Sequence, residues 1–120
     1  MYDHIGLKVK DLAASVRFYQ AALDGLGHEL CSSDASGAGF GPKGAPALWL
    51  YAAPKSVTAG THVAFRAGSK AAVDAFHKAG IKAGGRENGK PGLRADYSPN
   101  YYAAFLLDPD GNNVEAVWMG

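Results

Sequence analysis

Cysteine is almost missing from this chain: Cys31 is the only one in 120 residues. A framework of internal disulfides is therefore excluded, and the usage suits a reducing compartment. Long apolar runs are missing as well. Nowhere do roughly eighteen apolar residues follow one another, so no membrane-spanning helix is expected. An excess of one charge is also lacking, because twelve Lys and Arg face eleven Asp and Glu, for a net charge of +1. That balance argues against nucleic acid or an anionic membrane surface as the main partner. Asp3, His4 and Lys8 interrupt the first segment, which removes the pattern of a secretory leader and makes the cytoplasm the expected location. What is present is an ordinary globular composition, 48% apolar and 19% charged. A chain of this length makes one domain that buries about two-thirds of its unfolded surface.

The sequence repeats itself. At an offset of 58 residues, HIGLKV (4–9) lies over HVAFRA (62–67), Phe18 over Phe76, Ala21 over Ala79 and Leu23 over Ile81. Single coincidences of this kind are common, but a run of them in one register marks a duplicated unit. The chain divides into two modules, 1–58 and 59–120, within a single domain.

Each module opens with an alternating strand, in which Ile5, Leu7 and Val9 share one face, as do Val63 and Phe65. A helix follows. Asp11 is placed to cap one over 12–23 with Leu12, Val16, Tyr19 and Leu23 in its stripe, and Ser69 to cap another over 70–79 that stops at Gly80. The stripes must pack on the apolar strand faces, which leaves His4 and His62 on the faces the helices do not cover. Shorter strands are expected near 28–32, 38–41 and 47–52, and near 81–85, 101–107 and 113–118. A Gly/Pro-rich loop, GGRENGKPGLRADYSPN, falls between the first two of the second set. The fold class is α+β, with two tandem β-α-β-β-β modules forming a curved mixed sheet around an open cleft.

One carboxylate stands inside the last apolar strand. Glu115 alternates with Val114 and Ala116 and so faces away from them. Burying it unpaired would cost several kcal/mol. His4, His62 and Glu115 together match a facial triad of two imidazoles and a carboxylate, and a divalent cation would supply the compensating charge. Taken singly, each also fits a structural or solvated role.

The stretches DHIGLKVKDLAASVRFYQAAL, THVAFRA and LLDPDGNNVEAV resemble the vicinal oxygen chelate superfamily, which includes glyoxalase I, extradiol dioxygenases, fosfomycin-resistance thiol transferases and bleomycin-binding proteins. The resemblance implies metal ligands at His4, His62 and Glu115. It also implies a divalent ion (Fe, Mn, Ni, Co or Zn), a small-molecule substrate with vicinal oxygens, and stabilisation of an oxyanion or enediolate by a lyase, isomerase or dioxygenase-type enzyme. A homodimer is implied too, whose exchanged modules could place His4 of one chain beside Glu115 of the other.

Departures from individual members narrow this reading. The fourth ligand and base of glyoxalase I would stand at Trp49, which can neither ligate nor take a proton. The tyrosine of extradiol dioxygenases is matched by Phe105, and His77 lies on a helix beside Phe76. Fosfomycin-type thiol transfer and metal-free ligand sequestration are the alternatives. No catalytic residue is assigned; Trp49, Arg94, Tyr97, Tyr101 and Phe105 are the candidate substrate contacts, the arginine as a fork for a carboxylate or phosphate. Asp108 and Asp110 are read as turn residues, and Cys31 as a small apolar filler.

Overall fold

A computed structural model describes residues 1–56 and 60–120. The boundary expected between residues 58 and 59 lies outside the described residues. The elements run β1 (Ile5–Val9), α1 (Leu12–Asp24), β2 (Glu29–Ser33), β3 (Gly37–Gly41), β4 (Leu48–Ala52), β5 (His62–Arg66), α2 (Lys70–Lys82), β6 (Arg86–Leu93), β7 (Tyr102–Leu107) and β8 (Asn113–Trp118). The strands form two open four-stranded mixed sheets, ordered β1-β4-β3-β2 and β5-β8-β7-β6. The same permutation occurs twice, and in each module the first strand pairs in parallel with the last while the other pairings are antiparallel. The chain is α+β, built from two similar modules.

Local chemistry sets the helices. The Asp11 carboxylate accepts from Ala14 N and the Ser69 hydroxyl from Ala72 N, each satisfying an otherwise orphaned amide of the first turn. Phe18, Tyr19, Ala22 and Leu23 of α1 and Val73 and Phe76 of α2 are buried. The two helices pack on each other as well as on their own sheets. One contiguous core results, running from Leu7, Val9 and Leu50 of the first module to Leu106, Val114 and Ala116 of the second.

The second module differs from expectation after α2. No strand occupies 81–85: the helix runs on to Lys82, and the edge strand β6 begins at Arg86, inside the segment expected to be a loop. Gly80 does not end the helix. A Cβ there would meet Leu106 Cδ1 at 2.3 Å and Phe18 Cε1 at 3.3 Å, so this glycine lets α2 approach its neighbours closely. The chain reverses instead at Gly84, whose φ of +103° is open to glycine. Pro91 is tolerated in β6 because an edge strand can lose an amide from its ladder. His77, on α2 beside Phe76, has a mostly covered side chain with Nε2 2.8 Å from Glu87 Oε2. Burial alone would raise the Glu87 carboxyl, but the Gly89 amide and His77 outweigh it and hold the group below its usual range.

The β7–β8 turn joins the modules. Asp108, expected as a plain turn residue, is 1% exposed and accepts from Asp110 N, Asn112 N and Asn112 Nδ2. It also accepts from the Tyr19 hydroxyl of α1 at 2.5 Å. Burial, then the Asp108 charge and hydrogen bond, push the Tyr19 phenol well above its usual value. Asp110 accepts from Lys10 N at 3.0 Å, beside the positive start of α1. Cys31 is half-buried in β2, the edge strand of the first sheet, with carbonyls around its sulfur.

Candidate functional site

The site is built on the face of the second sheet that α2 leaves bare. In β8, Val114 and Ala116 enter the core, so Glu115 must point the other way. Register places it between Ala64 of β5 and Phe105 of β7. His62 begins β5 on the same face, and its Nε2 lies 2.9 Å from Glu115 Oε1. The Tyr101 hydroxyl, just before β7, donates to Glu115 Oε2. Glu115 is thus 2% exposed and still satisfied at both oxygens. Within one chain an imidazole and a phenol are the partners of its two oxygens. Burial first, then the Glu115 hydrogen bond and charge, raise the Tyr101 phenol from 10.0 to about 12.

Phe105 packs beside His62, with ring centroids 6.4 Å apart and planes at 29°. The Arg94 guanidinium lies over Phe105, 5.4 Å from its centroid. Tyr97, 61% exposed, meets the Tyr101 ring edge-on at 5.1 Å. Of the five expected substrate contacts, Tyr101 and Phe105 therefore lie beside Glu115, with Tyr97 against the first and Arg94 against the second. The fifth, Trp49, belongs to the other sheet.

Trp49 occupies in the first module the slot that Glu115 occupies in the second. It pairs with Gly6 of β1 as Glu115 pairs with Ala64 of β5, and Gly6 and Ala64 are equivalent in the duplicated unit. The first module's bare face is lined by Gly37, Gly39 and Gly41, which alternate with the buried Ala38 and Phe40. A Cβ on Gly39 would lie 2.7, 2.8 and 2.9 Å from three consecutive indole carbons of Trp49. Distances so nearly equal arise only over the face of a ring, so the indole lies flat on Gly39.

His4 stands apart. It precedes β1 with its side chain 54% exposed and Nδ1 2.6 Å from Asp3 Oδ1. It lines a cavity of about 220 Å³ at the seam between the modules, with His28, Phe40, Val63 and Phe65. Burial lowers the His28 imidazole from its usual value. Among the described residues of one chain, no group of three His, Cys, Asp or Glu side chains could hold a metal ion. The structure brings two of the three expected ligands together and leaves the third elsewhere. No described helix is long and apolar enough to cross a membrane.

The fold has counterparts among solved structures. A crystal structure of a glyoxalase/bleomycin resistance protein from Albidiferax ferrireducens T118 is 32% identical, with 100% of this chain and 99% of that one covered and a TM-score of 0.86. A glyoxalase/bleomycin resistance protein/dioxygenase family enzyme from Burkholderia phytofirmans PsJN, at 22% identity, 98% coverage of each chain and a TM-score of 0.75, shares the fold. So does a glyoxalase-related enzyme from Fulvimarina pelagi, at 19% identity, 95% and 84% coverage and a TM-score of 0.74. No curated protein matches the chain. Members of the family that the sequence model describes bind small molecules, commonly bind divalent metals and often form dimers. That model matches residues 2–116, and the chain belongs to the Glyoxalase/Bleomycin resistance protein/Dioxygenase superfamily.

Proposed function

We propose that the bare face around Glu115 binds a small oxygen-rich molecule, and that a divalent cation held by His62, Glu115 and a His4 from a second copy of the chain forms part of the site. The observation that carries this reading is the 2.9 Å approach of His62 Nε2 to Glu115 Oε1 on a face that the chain itself leaves half open, with the His62 side chain 49% exposed. An imidazole nitrogen beside a carboxylate oxygen is a donor pair suited to Fe, Mn, Ni, Co or Zn. Among the described residues one chain brings only these two donors together, and on this reading His4 of a second copy completes the set. The half-exposed Tyr51 lies on the first module's uncovered face, and the His4 side chain, just before β1, is also half-exposed; on this reading a second copy would meet that module there.

When bound, such an ion supplies a Lewis-acid centre for two neighbouring substrate oxygens, the chemistry of a lyase, isomerase or dioxygenase-type enzyme. The chain's own residues do the rest. Tyr101 fixes the orientation of Glu115 by occupying one carboxylate oxygen. Phe105 gives an apolar floor that lowers the local dielectric and strengthens each polar contact made there. Trp49, where a second glutamate would otherwise stand, contributes an apolar wall and accepts no proton, which argues against a base from the first module.

A second reading, metal-free binding of a small molecule, is favoured by one observation: both Glu115 oxygens already have partners without a cation. Metal analysis of chelator-stripped, reloaded protein separates the two. The metal reading expects the parent to take up an ion and His62→Ala to bind it about tenfold more weakly or worse. Equal uptake by parent and variant would end it, and ligand affinity unchanged by stripping would favour the second reading.

A further inference from the structure

The unusual shape of β6 has a use that the metal reading does not need. Its pairing with β7 shifts register twice, between Glu87 and Gly89 and between Gly89 and Gly92. Those shifts turn two backbone carbonyls toward one side chain: Arg94 Nη1 donates to Gly92 O at 2.9 Å and Nη2 donates to Lys90 O at 2.7 Å. Two glycines make the space. A Cβ on Gly92 would come within 3.2 Å of Arg94 Nη1, and one on Gly89 within 2.7 Å of the Phe105 ring. The guanidinium is thereby held over Phe105, beside the Glu115 cluster.

Arg94 nevertheless makes no ion pair among the described residues; the three that occur join histidines to carboxylates. A guanidinium carries five N–H donors, and the two carbonyls use two of them. Three remain, on a half-buried cation whose fork is already immobilised, so a ligand would not have to order it.

We infer that Arg94 recognises an oxyanion, a carboxylate or a phosphate, on the small molecule that the Glu115 face binds, so that the ligand class is anionic. The inference rests on the reading of that face as a ligand site but not on the metal. The test therefore uses chelator-stripped, ¹⁵N-labelled protein, titrated with glycolate, with its neutral isostere glycolamide, and with inorganic phosphate. Saturable shifts of the Arg94 Nε–H and the Gly92 and Phe105 amides are expected with glycolate or phosphate, with glycolamide about tenfold weaker or worse. Response to glycolate alone marks a carboxylate ligand and to phosphate alone a phosphorylated one. Arg94→Met, which keeps an apolar cover on Phe105, should lose the binding. Arg94→Lys, which keeps the charge but cannot span both carbonyls, should lose most of it. Equal affinity for glycolamide, or parent-like glycolate and phosphate binding by either variant, overturns the inference. Because no metal is present, that failure leaves the metal reading untouched, and failure of metal uptake leaves this one standing.

Discussion

Tyr19→Phe removes one oxygen atom from the contact that ties the two modules together, and its cost can be worked from the structure. The lost hydroxyl donates at 2.5 Å to Asp108, a carboxylate that is 1% exposed. A hydrogen bond to a buried charged group contributes about 1.5–3 kcal/mol net. The same carboxylate oxygen keeps Asn112 Nδ2 at 3.0 Å, so it is not orphaned and the middle of that range, about 2 kcal/mol, is expected. For a domain of this size the unfolding entropy makes that a fall of roughly 8 °C in Tm. Urea denaturation should show a lower midpoint with an unchanged slope, since the surface exposed on unfolding is the same. The pH dependence is the sharper part of the test. The folded-state pKa of Tyr19 lies above the unfolded value of 10.0, so the contribution of its hydroxyl is complete below about pH 10. It is lost as pH rises through the folded-state value. The gap between parent and Tyr19→Phe should therefore be constant from neutral pH to about 10 and narrow above it. A variant within about 0.5 kcal/mol of the parent, or a gap that stays constant into strong alkali, would refute the clamp.

Gly80→Ala should be destabilising despite alanine's higher helix propensity, by about 1–3 kcal/mol in urea, because the new methyl meets Leu106 and Phe18; a stabilised variant would show that the helices are not so closely packed. Tyr101 should titrate near 12 when followed through its ring carbon resonances, and Glu115→Gln should move that midpoint downward. Titration at the ordinary value of 10.0 in both proteins would mean that the Tyr101–Glu115 contact does not form.

Much of the architecture was legible because the duplication repeats its own signals. Asp11 and Ser69 cap equivalent helices, and the alternation of β1 returns in β5, so strand faces and helix stripes could be read twice. The equivalence of Trp49 and Glu115 also came from that repeat, and the paired registers bear it out. The strand β6 was hidden because an edge strand with two register shifts has neither alternation nor β-branched residues to mark it. Gly80 looked like a stop, since sequence does not distinguish a glycine that ends a helix from one that admits a neighbour. Asp108 looked like a turn residue and nothing more for a related reason: Tyr19, its partner, is 89 residues away.

At the site, period-two alternation sent Glu115 to the bare face, and the duplicated histidine slot brought His62 there. The alternation expected over 101–107 puts Tyr101 on the face of Phe105, but its hydroxyl contact with Glu115 could not be read, because it depends on how the chain enters β7 beside β8. The place of His4 could not be read either, because it depends on how modules pair within and between chains. The proposed site joins His4 of one copy to His62 and Glu115 of another.

Subunit mixing tests it directly. His4→Ala and His62→Ala chains, carrying different tags, are co-expressed, and the mixed pair is purified, stripped and reloaded for metal analysis. Neither variant alone should retain metal. In the mixed pair, intact His4 of one chain meets intact His62 and Glu115 of the other, so a single ion should return per dimer. A mixed pair as empty as its parents, or a parent chain that remains monomeric while binding metal, contradicts a site shared between two copies.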